Sequence, residues 1–190
     1  MSKRFVILDG SSLMYRAFYA LPPLTDSLGE PTNAIFGFSN MLTKLLGELK
    51  PDSLVIAFDK GKKTFRTERY PEYKGTRDKT PEELLAQIPL LHEFAAAFGV
   101  SFIEKERYEA DDIIGTISRM AERNGYATVI VSGDRDLLQL ATDTILVRIP
   151  KTKASGTTIE NYYAKDVVEA YGVTPVQFID MKGLMGDTSD

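Results

Sequence analysis

The chain has 190 residues, 43% hydrophobic and 26% charged, which suits one globular domain with a proper core and argues against disorder. It has no Cys and a single His, His92, which excludes disulfides, thiolate metal sites and His-rich zinc sites, and leaves oxygen as the donor for any metal. The net charge of −4 is unevenly spread: from residue 60 to 79 eight Lys/Arg stand against three Asp/Glu, so that segment carries +5 and the rest −9, a basic patch on an acidic body.

The predicted elements alternate strand and helix. Residues 4–10, RFVILDG, form a short apolar run ending in Asp-Gly, followed by a helix from Ser12 to Ala20. A second helix spans Asn33–Leu49, with Ile35, Phe36, Met41, Leu42, Leu45, Leu46 and Leu49 at helical spacing. SLVIAFD (53–59) repeats the apolar strand ending in Asp, and the basic segment after it, broken by Pro71 and Gly75, reads as an exposed loop or short helical excursion. A helix over residues 80–98 takes Thr80 as N-cap and Pro81 at N1, with a kink expected at Pro89.

VSFIE (100–104) is a short strand leading to an acidic amphipathic helix whose Ile113, Ile117 and Met120 predict a core stripe and whose Asn124-Gly125 predicts a C-cap. ATVIVSGDRD (127–136) and TILVRI (144–149) are further strands, with polar PKTKASGTT after the second, then helices at 164–171 and 174–184. Such alternation predicts an α/β fold, a mostly parallel sheet flanked by helices, in a single domain over residues 1–190. No run approaches the roughly 18 apolar residues of a membrane span, and nothing resembles a signal peptide; the expectation is a cytoplasmic chain with no membrane association.

In open parallel sheets ligands sit beyond the carboxyl ends of the strands. Asp9, Asp59 and Asp134 each stand there, and parallel strands bring the three to one edge. Glu109, Asp111 and Asp112 crowd into four positions at a helix start, Asp134 and Asp136 are two apart, and Asp187 and Asp190 are i, i+3. Each acid alone has an ordinary reading as a turn residue, N-cap or partner of the helix dipole. Together they have a larger consequence: two carboxylates 5 Å apart repel by roughly 3 kcal/mol at an effective dielectric of about 20. Only Arg135 and Arg107 are interleaved with them as compensating cations. Hard divalent ions, Mg²⁺ or Mn²⁺, answer the problem better, and so many ligands point to two.

The successive stretches FVILDGSSLMYRAFYA, VIAFDKGKKTFRTERYPEYKGTR, EADDIIGT, VIVSGDRDLLQL and GLMGDTSD resemble the motifs of the bacterial 5′-nuclease family, which includes the 5′→3′ exonuclease domain joined to DNA polymerase I. Flap endonucleases are more distant relatives. The resemblance covers the chain nearly end to end. It implies a PIN-like fold, two or more Mg²⁺ or Mn²⁺ ions, and hydrolysis of DNA phosphodiesters near a 5′ end, as exonuclease or 5′-flap endonuclease in replication and repair. The partners implied are flapped, nicked or branched duplex DNA, an RNA primer in an RNA–DNA hybrid, and a DNA polymerase, fused or acting alongside.

Carried over residue by residue, the resemblance assigns Asp9, Asp59, Glu109, Asp111 and Asp112 to one metal and Asp134, Asp136, Asp187 and Asp190 to the other. It makes residues 60–80 an arch or gateway above them. There Lys62, Lys63, Arg66, Arg69, Lys74 and Arg77 supply charge for phosphates, and Phe65, Tyr70 and Tyr73 supply faces for base stacking. The alternative for this segment is a solvated charged loop. Lys74 and Arg77 are the expected catalytic cations at the scissile phosphate. Arg16 is a third phosphate contact or, equally, a helix-surface salt-bridge residue. The chain stops just after GDTSD, where the family continues into a Gly-rich helix-hairpin that grips duplex DNA, so that region is expected to be absent. Two other readings stand beside this one. A PIN-type ribonuclease shares the acidic cluster, and a non-catalytic nucleic-acid clamp shares the fold without binding metal.

Overall fold

The computed structural model describes residues 3–61, 63–75, 79–153 and 156–186. Six strands, β1 (Arg4–Asp9), β2 (Ser53–Phe58), β3 (Ser101–Glu104), β4 (Ala127–Val131), β5 (Ile145–Lys153) and β6 (Gly156–Tyr162), form one sheet in the order β3-β2-β1-β4-β5-β6. The first five are parallel and β6 runs antiparallel to β5. The last four residues of both β1 and β2 are buried, as befits central strands covered on both faces.

Alternation along each strand divides the core. Val6, Leu8, Ile56, Val129 and Val131 face Leu13 and Met14 of α1 (Gly10–Ala20), Phe38 and Leu42 of α2 (Asn33–Leu49) and Leu91 of α5 (Ile88–Ala97). Ile7, Val55, Ala57 and Ile130 face Ile113 and Ile114 of α6 (Ala110–Arg123), Leu138 of a 3₁₀ helix (Arg135–Leu140), Val167 of α7 (Ala164–Tyr171) and Phe178 of α8 (Pro175–Met185). Strand order reverses between β1 and β4, so the sheet opens a crevice beyond their carboxyl ends. Gly10 fits that crossing. A Cβ on it would lie 2.7 Å from side-chain carbons of both Ile56 and Phe58 and 3.1 Å from the Ala57 carbonyl oxygen.

Several expectations are corrected. The helix foreseen over residues 80–98 is two, α4 (Glu82–Leu85) and α5, with Pro81 rather than Thr80 at the N-cap; Pro89 lies in the first turn of α5, where its missing N–H costs nothing. Between them Gln87 is fully buried, and its Oε1 accepts from the N–H groups of Ala34 (2.8 Å) and Ile35 (3.1 Å), capping α2 from outside. The polar stretch PKTKASGTT (150–158) does not end the sheet: β5 continues to Lys153, and β6 begins at Gly156 and pairs antiparallel with it. The strand foreseen over 127–136 ends at Val131 and gives way to the 3₁₀ helix. Met120 is 56% exposed, and the buried stripe of α6 runs through Ala110, Ile113, Ile114, Ser118 and Ala121.

Candidate active site

The carboxyl ends of β1, β2 and β4 and the amino end of α6 meet at the crevice. Asp9, the last residue of β1, is 3% exposed and caps α1: its Oδ1 accepts from the Ser12 N–H at 3.0 Å and its Oδ2 from the Ser132 hydroxyl at 2.5 Å. Asp59, just past β2, accepts from the Ala110 N–H at 2.7 Å, so an acid from another element satisfies the first turn of α6, while its own N–H donates to Ser11 Oγ at 3.0 Å. Asp134 caps the 3₁₀ helix by accepting from the Asp136 N–H at 2.8 Å.

Asp111 is half-buried in the first turn of α6. Burial, then the charges of Asp9, Asp134 and Asp59, push its carboxyl up to about 8. Asp9 is pushed up to about 6, chiefly by burial against the two hydrogen bonds it accepts, with Asp59 and Asp134 adding to the rise. Asp134 is raised too, by burial first. Four elements thus bring Asp9, Asp59, Asp111 and Asp134 into one another's field.

The neighbouring acids have a different fate. Both Asp112 oxygens accept from Arg66 of α3 (Phe65–Arg69), each at 2.7 Å, and this paired geometry holds the Asp112 carboxyl below its ordinary range. Asp112 Oδ2 also accepts from the Glu109 N–H at 3.0 Å, so the helix-start role of acids is present as well. Glu109 takes Lys74 at 2.7 Å, the Tyr73 hydroxyl at 3.0 Å and Arg66 at 3.1 Å. Asp136 pairs with Lys182 of α8 at 3.2 Å.

The compensating cations are therefore not those suggested by proximity in sequence. Arg107 pairs with Glu68 and Arg135 with Glu160. Arg66 and Lys74 come instead from the basic segment, which folds back on α6 with Arg66 against the Phe65 ring (4.6 Å) and Lys74 against that of Tyr73 (5.1 Å). Lys63, Arg69 and Tyr70 are exposed, and Arg16 is half-buried on α1 with its pKa lowered by burial. Lys62, Arg77, Asp187 and Asp190 lie outside the described residues. His92 stands apart from the acids, its ring 3.9 Å from that of Phe102. A cleft of about 460 Å³ beside α6 is lined by Arg66, Asp111, Asp112, Arg119, Asp136 and Leu140, among others.

Among the described residues no three carboxylates form by themselves a group that could hold an ion, and no ion pair joins Asp9, Asp59, Asp111 or Asp134 to a described Lys or Arg. The positive field at Asp111 and Asp134 includes Lys74, and at Asp134 Lys182, both already paired with other acids. Burial and mutual repulsion outweigh that field. The chemistry of the donors, carboxylate oxygen throughout, fits a hard divalent cation. Sequence reading overlooked the serines that set this frame: Ser11, Ser12 and Ser132 stand beside the acids in DGSS and VSGD, and that adjacency was the available signal.

The molecule thus gathers carboxylates at the switch point of a mostly parallel sheet and latches a basic segment beside them. Residues 4–172 match the family model for the 5′-3′ exonuclease, N-terminal resolvase-like domain, and the chain belongs to that family. It is 52% identical over 190 residues to DNA polymerase I of Bacillus caldotenax and 51% identical over 188 residues to that of Bacillus subtilis, covering 100% and 99% of this chain but 21% of each relative. The chain thus spans about a fifth of these relatives. Among solved structures, T5 5′-exonuclease with bound divalent metal ions (zinc) superimposes with a TM-score of 0.72 at 24% identity, over 99% of this chain and 68% of that one. The bacteriophage T5 flap endonuclease in a complex with DNA and metal ions gives 0.70 at 24% identity, over the same shares. These likenesses establish the shared PIN-like fold.

Proposed function

We propose that the chain is a divalent-metal-dependent nuclease domain that hydrolyses DNA phosphodiesters near the 5′ end of a strand, both exonucleolytically and at 5′ flaps. The observation that carries this reading is the convergence of Asp9, Asp59, Asp111 and Asp134, from four elements, at a switch point where, among the described residues, burial and mutual repulsion raise the carboxyls of Asp9, Asp111 and Asp134 despite the field of the nearby lysines. These four would contribute oxygen donors to Mg²⁺ or Mn²⁺, completed by water, with Asp187 and Asp190 joining Asp134 toward a second ion. When bound, such ions acidify a water for attack on phosphorus and offset the charge of the phosphate.

The chain's own groups do the rest. The Ser12 N–H holds Asp9 from the α1 side, and Asp59 ties the strand end to α6. Lys74 and Arg77 draw the scissile phosphate and stabilise its growing charge. Lys62, Lys63 and Arg69 attract the backbone, Tyr70 offers a stacking face, and Arg16 adds a contact from α1. Arg66, doubly bonded to Asp112, anchors the base of the flap, and Phe65 and Tyr73 pack around that anchor. The substrates proposed are nicked, branched or flapped duplexes and RNA primers in hybrids, worked on in the cytoplasm as the nuclease part of a longer polypeptide bearing a DNA polymerase. Among the described residues no helix is long and apolar enough to cross a membrane.

Cleavage of a 5′-flap DNA duplex compared with single-stranded RNA, with and without chelator, tests this. Flap cutting that is lost in EDTA is expected. Preferential cutting of the RNA points to a PIN-type ribonuclease, and no cutting of either with tight flap binding points to a clamp.

A further inference from the structure

The serine after β4 has no assigned part in the chemistry, yet it joins two of the acids. Ser132 is fully buried. Its Oγ lies 2.5 Å from Asp9 Oδ2 and 2.9 Å from the backbone nitrogen of Asp134. An amide N–H can only donate, so it occupies a lone pair of the hydroxyl and leaves the hydroxyl proton for Asp9. One side chain thus links the carboxylate at the end of β1 to the backbone that carries the carboxylate beyond β4, across the strand-order reversal.

A second link runs beside it, built on a serine of the α1 side. Ser12 gives its N–H to Asp9 and accepts the Gly133 N–H on its Oγ at 3.0 Å. Gly133 suits this approach, since a Cβ there would stand 2.9 Å from that same oxygen. The strand ends are consequently joined by directional bonds as well as by packing.

We infer that Ser132 is a positioning residue, one that fixes Asp9 relative to Asp134 and so sets the pocket in which a divalent cation is held. The inference rests on the metal-dependent reading above. Partners that orient ligating side chains typically change metal affinity by about 10- to 100-fold when removed.

The test is Mn²⁺ alone, titrated into the 190-residue chain and followed by loss of the free-ion EPR signal, with thermal melts in EDTA to establish folding. Ser132→Ala is expected to raise the Mn²⁺ dissociation constant about 10-fold or more, and Ser132→Thr, which keeps the hydroxyl, to stay within about threefold of wild type. If the alanine protein gives no cooperative melt, Ser132→Cys, of similar shape and poor donor strength, takes its place with the same expectation. Affinity equal to wild type in a folded Ala or Cys variant overturns the inference and leaves the metal-dependent reading standing. A folded Thr variant as weak as Ala also overturns it. Failure of the wild-type chain itself to bind Mn²⁺ overturns both.

Discussion

Asp111 and Asp112 are adjacent in the chain and sit in opposite surroundings. Asp112 looks outward to a guanidinium, whereas Asp111 shares the field of Asp9, Asp59 and Asp134. The difference has a pH signature. Asp111, raised to about 8, and Asp9, raised to about 6, lie above the ordinary carboxylate value near 4. Between about pH 4 and 8 the folded metal-free protein therefore holds more protons than the unfolded chain, and its stability falls as pH rises through that window. Calorimetry in EDTA should give a melting temperature lower at pH 8 than at pH 5, by on the order of 5 °C. Asp111→Asn should flatten that slope; an unchanged slope would show that Asp111 does not carry the repulsion. The sequence made all these acids visible but not their division, because Arg66 and Lys74 lie 46 and 35 positions from their partners and only folding brings them there.

At the scale of elements, the latch between α3 and α6 is the feature that spacing along the chain does not reveal. Arg66 reads from sequence as one DNA-facing cation among several, yet its fork is spent on Asp112. Hydrogen bonds to charged groups contribute about 1.5–3 kcal/mol. Arg66→Ala should therefore speed hydrogen exchange at the α3 amides of Glu68 and Tyr70, which bond to the Thr64 and Arg66 carbonyls, by roughly tenfold. Exchange at the wild-type rate would mean the latch contributes nothing to the order of this segment. Strong hydrophobic periodicity made α2 legible end to end, and the apolar runs of β1, β2 and β4 were equally plain. The β5–β6 hairpin was not, since PKTKASGTT lacks an apolar alternation and its pairing is supplied by the backbone. The break before α5 was hidden for another reason: Gln87 is buried to cap α2, a tertiary demand with no local pattern.

For the whole molecule, topology does the work that no single motif does. The β3-β2-β1-β4-β5 order sends two crossovers one way and the rest the other, and only at that reversal can acids separated by more than a hundred residues share a pocket. The alternation of strands and helices made this layout legible in the sequence. What it could not convey was which acids the folded-back basic segment pairs with, Asp112 and Glu109 rather than Asp111. The most direct measurement is cleavage of a 5′-labelled flap duplex by wild type and Asp111→Asn across a Mg²⁺ titration, with product length read on a gel. The account predicts short 5′-labelled products from wild type that appear only with Mg²⁺, and a rate at least about 100-fold lower for Asp111→Asn at every concentration. Wild-type cutting that persists in EDTA, or an Asp111→Asn protein that cuts as fast as wild type, would contradict it.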